Sequence, residues 1–212
     1  KEALQKIRDD YGIDRKIAIV VGRLIPMKGI QETIAAWRKL PQTRRDQWTL
    51  VFLGDGPLQA LLDANEDPSI QHVGFVRPEH VTDWLAAADL HVFASLGDVW
   101  GLVVNEAMAC ETPTLCSIHA GCSDDLIEEG VSGLVFDPAD PSSSAEALAD
   151  ALARTDLASL GARASTKSQA CTSERFADGF RRAVAHAVYR DRHGLCTPTV
   201  TSTLSINKGQ QA

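Results

Sequence analysis

Two carboxylates stand on either side of a glycine in the stretch Ser95-Leu96-Gly97-Asp98-Val99-Trp100-Gly101-Leu102-Val103-Val104-Asn105-Glu106-Ala107. A glycine at the mouth of a helix lets a ligand approach backbone N–H groups that have no helical partner. Carboxylates nearby can accept hydrogen bonds from the vicinal hydroxyls of a sugar or a ribose. Asp98 is placed on the loop and Glu106 a turn inside the helix. Because Glu106 lies in an apolar run between Val104 and Met108, it reads as a buried acid in need of a partner. The plainer alternative makes Asp98 a helix cap and Glu106 half of an ion pair.

A second constellation is Gly22-Arg23-Leu24-Ile25-Pro26-Met27-Lys28-Gly29, where two cations flank a loop that enters a helix. Cations beside a helix N-terminus suit an anion such as a phosphate. Alternatively, Arg23 is a solvated loop charge and Lys28 a helix-surface lysine. A third segment, Gly54-Asp55-Gly56-Pro57, approaches a dinucleotide fingerprint but carries Gln59 at the place of the third glycine. It reads better as a tight turn between a strand and a helix.

Elements that alternate in type position these segments. Lys16 to Gly22 (KIAIVVG), Thr49 to Leu53, Ile70 to Gly74, Leu90 to Ala94, Thr112 to Ser117 and Gly133 to Phe136 are short apolar runs. Runs without alternation are buried on both faces, as in a parallel sheet. Helical patterns fill the intervals: Lys28 to Leu40, Pro57 to Ala64, Pro78 to Ala88, Leu102 to Cys110 and Asp124 to Glu129. About six strands joined by helices predict an α/β, Rossmann-like doubly wound parallel sheet, with ligands at the carboxyl ends of the strands. Beyond Asp137 the pattern is helical: Ser142 to Ala153, Leu157 to Gln169 and Ser173 to Arg192. In the last, Phe176, Phe180, Val184 and Val188 form a stripe, suited either to this domain's own sheet or to a partner. Residues 1–193 read as one domain and 194–212 as a loose polar tail.

Composition narrows the function further. The 212 residues carry 28 Asp and Glu against 21 Lys and Arg, a net charge of −7. Such a chain is a poor nucleic-acid binder and a poor anchor to an anionic membrane. Five cysteines without a CxxC pair fit neither a disulfide framework nor a zinc site; reduced thiols in the cytoplasm are expected. Cys110, Cys116 and Cys122 share a six-residue period that reads as chance, and His91 and His119 read as satisfied rather than catalytic. Asp124, Asp125, Glu128 and Glu129 read as a solvated face. The first residues are too charged for a signal peptide, and the chain opens within a helical pattern, as an excised domain would.

The landmarks GRLIPMKG (22–29), GDGP (54–57), HVGFV (72–76), AADLHVFAS (87–95), DVWGLVVNEAMA (98–109) and HAGCSDDLIEEGVSGLVF (119–136) follow one another in order. From 17 to 189 the chain thereby resembles the C-terminal domain of the retaining GT-B glycosyltransferases of group 1. The resemblance implies a nucleoside-diphosphate sugar as donor, hexose transfer with retained anomeric configuration to a glycan, lipid or small-molecule acceptor, and no cofactor or metal. It places Arg23, Lys28 and the N–H groups of Gly101, Leu102 and Val103 on the diphosphate. Glu106 would take the ribose hydroxyls, and Phe75, Val76 and Arg77 would line the base. Gly54 would lie close to the donor and Asp98 on the transferred sugar; Arg23, Lys28 and Asp98 carry the catalytic roles. Two departures stand out. The family has glutamate where this chain has Asp98, and the acceptor-binding domain, through which any membrane contact would run, is absent. Two alternatives remain beside this one: a non-catalytic nucleotide-sugar-binding subunit that needs a partner, or a GT-B epimerase or phosphorylase.

Overall fold

The structure, a computed structural model, describes residues 2–169, 171 and 173–192. The chain divides into two compact units, Lys1–Cys171 and Thr172–Ala212.

In the first unit a parallel sheet of six strands has the order β3-β2-β1-β4-β5-β6. The strands are β1 (Lys16–Val21), β2 (Trp48–Leu53), β3 (Ile70–Gly74), β4 (Leu90–Phe93), β5 (Thr114–Ser117) and β6 (Leu134–Phe136). Helices α1 (Glu2–Asp10), α2 (Ile30–Lys39), α3 (Gln42–Arg45), α4 (Gln59–Asp63), α5 (Pro78–Ala87) and α6 (Leu102–Ala109) alternate with the first strands. The helices α7 (Ser123–Leu126), α8 (Pro141–Ala153) and α9 (Leu157–Ser168) complete the unit. The continuous apolar runs are explained by what covers them. Ala18 and Val20 of β1 pack with Ile30, Ile34 and Trp37 of α2 and Leu148 and Leu152 of α8. Ile17 and Ile19, pointing the other way, pack with Trp84 and Leu85 of α5. Period-two alternation sends neighbouring side chains into separate cores, so no polar face is left to show in the sequence.

The chain builds β1, β2 and β3 outward in one direction, then returns to lay β4 on the other side of β1 (Ala18 opposite Leu90). The helices that follow, α2 after β1 and α6 after β4, therefore cover opposite faces of the sheet, and a crevice opens beside them at the carboxyl edge. Several elements are shorter than their patterns, α4 (Gln59–Asp63) and β5 (Thr114–Ser117) among them, and the helix expected from Asp124 to Glu129 changes most. Residue 126 ends α7, and Glu129 instead bridges to Gly133 and accepts a hydrogen bond from Val135 N at 2.6 Å.

In the second unit, α10 (Ser173–Arg192) carries Phe180, Val184 and Val188 as exposed residues. The Phe176 side chain and the expected tail at 194–212 lie outside the described residues. Among the described residues, no helix is long and apolar enough to cross a membrane.

Candidate functional site

The floor of the crevice is backbone laid against backbone. Gly22 N donates to Leu53 O (3.0 Å), Leu24 N to Asp55 O (2.7 Å) and Leu58 N to Leu24 O (2.9 Å). At Gly54 a Cβ would come 2.0 Å from the carbonyl oxygen of Gly22, so the loops after β1 and β2 touch only because that position is glycine. His72 steadies the same corner, with Nε2 3.0 Å from Gly54 O and Nδ1 2.9 Å from Asp63 Oδ1. The GDGP segment is therefore a packing device between loops, which accounts for its failure as a dinucleotide fingerprint.

The loop after β1 closes in a short 3₁₀ turn, Pro26–Lys28, whose C-cap Gly29 is left-handed at φ 66°. A Cβ there would come 1.9 Å from Ala94 O, so the turn rests directly on the end of β4. Ser95, fully buried, clips the two together: its hydroxyl reaches Met27 O (3.1 Å) and Gly97 O (3.2 Å), and Leu96 N donates to Met27 O (2.8 Å). Lys28 is thereby delivered to Asp98, Nζ to Oδ2 at 2.5 Å, and also lies 5.6 Å above the Phe93 ring. Asp98 Oδ1 accepts from Trp100 N (3.2 Å). Burial pushes the Asp98 carboxyl up, but the Lys28 ammonium and the Trp100 N–H outweigh it and hold the group below the ordinary aspartate value. On its far side the Asp98 loop leans on the segment after β5. Gly121 N donates to Asp98 O (2.9 Å), and a Cβ at Gly121 would come 2.0 Å from Val99 O.

Gly101 caps α6 at φ 99°, and no side chain caps that end. Val104 N makes the first backbone bond, to Gly101 O at 2.9 Å. The N–H groups of Gly101, Leu102 and Val103 precede it and present a partial positive charge to the crevice. The glycine is obligatory, since a Cβ would stand 2.8 Å from Phe93 Cε1 and 3.3 Å from Cys122 Sγ.

Arg23, Lys28, Asp98, Gly101, Leu102, Val103 and Glu106 all line one cleft of about 590 Å³. A neighbouring hollow of about 200 Å³ shares Arg23 and adds Gly54, Phe75 and Val76. Arg77, by contrast, lines neither; it is exposed at the N-terminal cap of α5. The expectation that Glu106 is a buried acid is corrected. It is exposed on the cleft side of α6 and makes no side-chain hydrogen bond or ion pair among the described residues. Val104, Ala107 and Met108 fill the core instead, while Leu102, one turn before Glu106, is 71% exposed. The apolar run dresses both the core face and the cleft face of one short helix. Arg23 is likewise exposed and unpaired among the described residues.

The histidines divide. His119 Nε2 lies 2.8 Å from Asp137 Oδ1 and is satisfied. His91, fully buried on β4, bonds Thr114 Oγ1 through Nδ1 (3.2 Å), and its Nε2 has no partner. Burial pushes it down to about 3, so it stays neutral. Cys116 and Cys122 are both buried and free and share one apolar cluster with Phe93, a neighbourhood that their spacing conceals; Cys116 Sγ lies 3.6 Å from Ser117 O, and Cys122 Sγ packs under Gly101. Ser95 and Phe93 are the positioning residues that sequence reasoning passed over. The only sign of Ser95 is a hydroxyl at the first loop position after a buried strand.

A family model described as "Glycosyl transferases group 1" matches residues 5–167. A D-inositol 3-phosphate glycosyltransferase of Geodermatophilus obscurus is 38% identical over 164 residues, 71% of this chain and 36% of that protein. The alpha-D-kanosaminyltransferase of Streptomyces kanamyceticus is 31% identical over 139 residues, 63% of this chain and 36% of that one. Among solved structures, the sucrose-phosphate synthase of Thermosynechococcus elongatus superposes with a TM-score of 0.70 at 27% identity, covering 86% of this chain and 49% of that chain. HepE of Anabaena, in complex with UDP-glucose, gives 0.67 at 25%, covering 89% and 52%. The chain spans a third to a half of the length of the curated relatives it matches.

Proposed function

This chain belongs to the glycosyl transferases group 1, and we propose that it supplies the donor side of a retaining, metal-independent hexosyl transfer from a nucleoside-diphosphate sugar. The observation that carries this reading is the meeting, on one cleft, of an arginine and a carboxylate unpaired among the described residues and a helix N-terminus without a side-chain cap. Arg23 and the α6 N-terminus would hold the diphosphate, and Lys28 would join them. As the bond to the sugar breaks, negative charge grows on the leaving diphosphate, and those same groups stabilise it without a bound metal. Glu106 would accept the ribose hydroxyls, and the neighbouring hollow at Phe75 and Val76 would take the base. Asp98 would face the hexose.

A donor cleft alone leaves the sugar open to water and the acceptor unpositioned. We therefore expect this chain by itself to bind donor and not transfer it, the acceptor side coming from a second domain or subunit. The relatives' greater length supports that division of labour. Free thiols at Cys110, Cys116, Cys122 and Cys171 favour a cytoplasmic setting. A thermal-shift panel of UDP-, GDP- and ADP-sugars tests the reading, because a ligand that binds only the native state raises the midpoint by mass action. One donor should raise it for the native chain and not for Arg23→Ala; no shift with any of them at millimolar concentration refutes it.

A further inference from the structure

Lys28 and Asp98 occupy one another. Nζ lies 2.5 Å from Oδ2, and the other carboxylate oxygen is engaged by Trp100 N at 3.2 Å. Of the two cations and two carboxylates on the cleft, Arg23 and Glu106 are unpaired among the described residues, and Lys28 and Asp98 are spent on each other. The loops that hold the pair are fixed. Ser95 ties the Lys28 turn to β4, and Gly121 packs against the Asp98 loop. Freedom is left to one group, the flexible four-carbon stem of the lysine, whose ammonium exchanges partners readily.

We propose that Lys28 is an exchangeable cation that leaves Asp98 for the donor diphosphate and so uncovers Asp98 Oδ2 for a hydroxyl of the hexose, coupling recognition of the two ends of the donor. The proposal rests on the donor reading above. A nucleoside diphosphate without sugar draws Lys28 away and leaves Asp98 half-satisfied in a partly buried place. A nucleotide sugar repairs that loss with a hydroxyl. The protein therefore prefers the intact donor to the spent nucleoside diphosphate, which favours release of the product. The aspartate, where the resembling family has glutamate, suits this role. Its short arm reaches the N–H two residues on and keeps the carboxylate in place while the lysine moves, whereas a longer arm is poorly suited to that local turn.

Calorimetric titration of UDP against UDP-glucose, and of GDP against GDP-mannose, compares the native chain with Asp98→Asn, which keeps the acceptor for Trp100 N and removes the charge. The variant should bind the nucleoside diphosphate about three- to fivefold more tightly, the scale of a partly exposed ion pair. It should bind the sugar form no more tightly, so the preference for intact donor shrinks. An unchanged or weaker diphosphate affinity in the variant overturns the proposal and leaves the donor reading standing. Failure of the native chain to bind any member of these pairs, or ADP or ADP-glucose, removes the donor reading, and the proposal with it. A measurement without a variant is the carboxyl ¹³C titration of Asp98. Its midpoint should rise when the nucleoside diphosphate binds, and a midpoint that does not move counts against exchange.

Discussion

Gly101 and Phe93 fit against one another with no room to spare: a Cβ on Gly101 would stand 2.8 Å from the ring's Cε1. The backbone there also has φ 99°, a conformation that L side chains rarely adopt. Gly101→Ala is therefore expected to lower stability by about 1–3 kcal/mol, read as a reduced calorimetric midpoint. Because the displaced ring lies beneath Lys28, donor binding should weaken in the same variant.

Arg23 carries no folding role that the structure reveals, being exposed and without a side-chain partner among the described residues. Arg23→Ala should leave the thermal midpoint of the unliganded protein nearly unchanged. Loss of a charge-assisted contact to the diphosphate is worth about 1.5–3 kcal/mol, tenfold or more in Kd. Titration calorimetry with the nucleoside diphosphate checks both the size and its independence of stability.

Glu106→Gln separates the ribose contact from the fold. The native chain should prefer a ribonucleotide to its dideoxy analogue by roughly tenfold, the scale of a hydrogen bond to a charged group, and the variant should lose that preference. Since Glu106 is exposed, its melting curve should overlay that of the native chain. A variant that melts early would restore the interior role that its apolar neighbours suggest.

His91 sets a pH dependence of stability. Its folded value is held by burial at about 3, well below the ordinary value of about 6.5. Between those values the unfolded chain takes up a proton that the folded chain refuses, so stability falls as pH falls, by up to about 1.4 kcal/mol per unit. Denaturant titrations between pH 6.5 and pH 5 should show this slope, before the depressed carboxylates of Asp67, Asp98 and Asp137 begin to titrate. His91→Asn should flatten it; an equal slope in the variant assigns the effect elsewhere.

The frame was legible because burial leaves its mark on composition. KIAIVVG and TLVFL could belong only to strands covered on both sides, and Ile30, Ile34 and Trp37 at helical spacing are all in the core. The glycines of the landmarks were visible as well, but not their purpose. Gly54 and Gly121 serve close backbone approach across loops distant in sequence. Glu106 departs from the buried position its apolar neighbours suggest, because a helix of eight residues that lines a cleft can be apolar on its wet face. The pairing of Lys28 with Asp98 and the shared burial of Cys116 and Cys122 escaped for a different reason. They depend on where separate strands end relative to each other, which periodicity along one strand does not encode.

The crevice between β1 and β4 has a kinetic consequence. Its walls come from loops after β1, β2, β3 and β4, braced by the segment after β5, so none of it exists until strands far apart in the chain have paired. Such non-local parallel pairing is slow to form. Recognition at this edge should thus be acquired at the last stage of folding, all at once, and ligand affinity would serve as a clock for completion of the sheet.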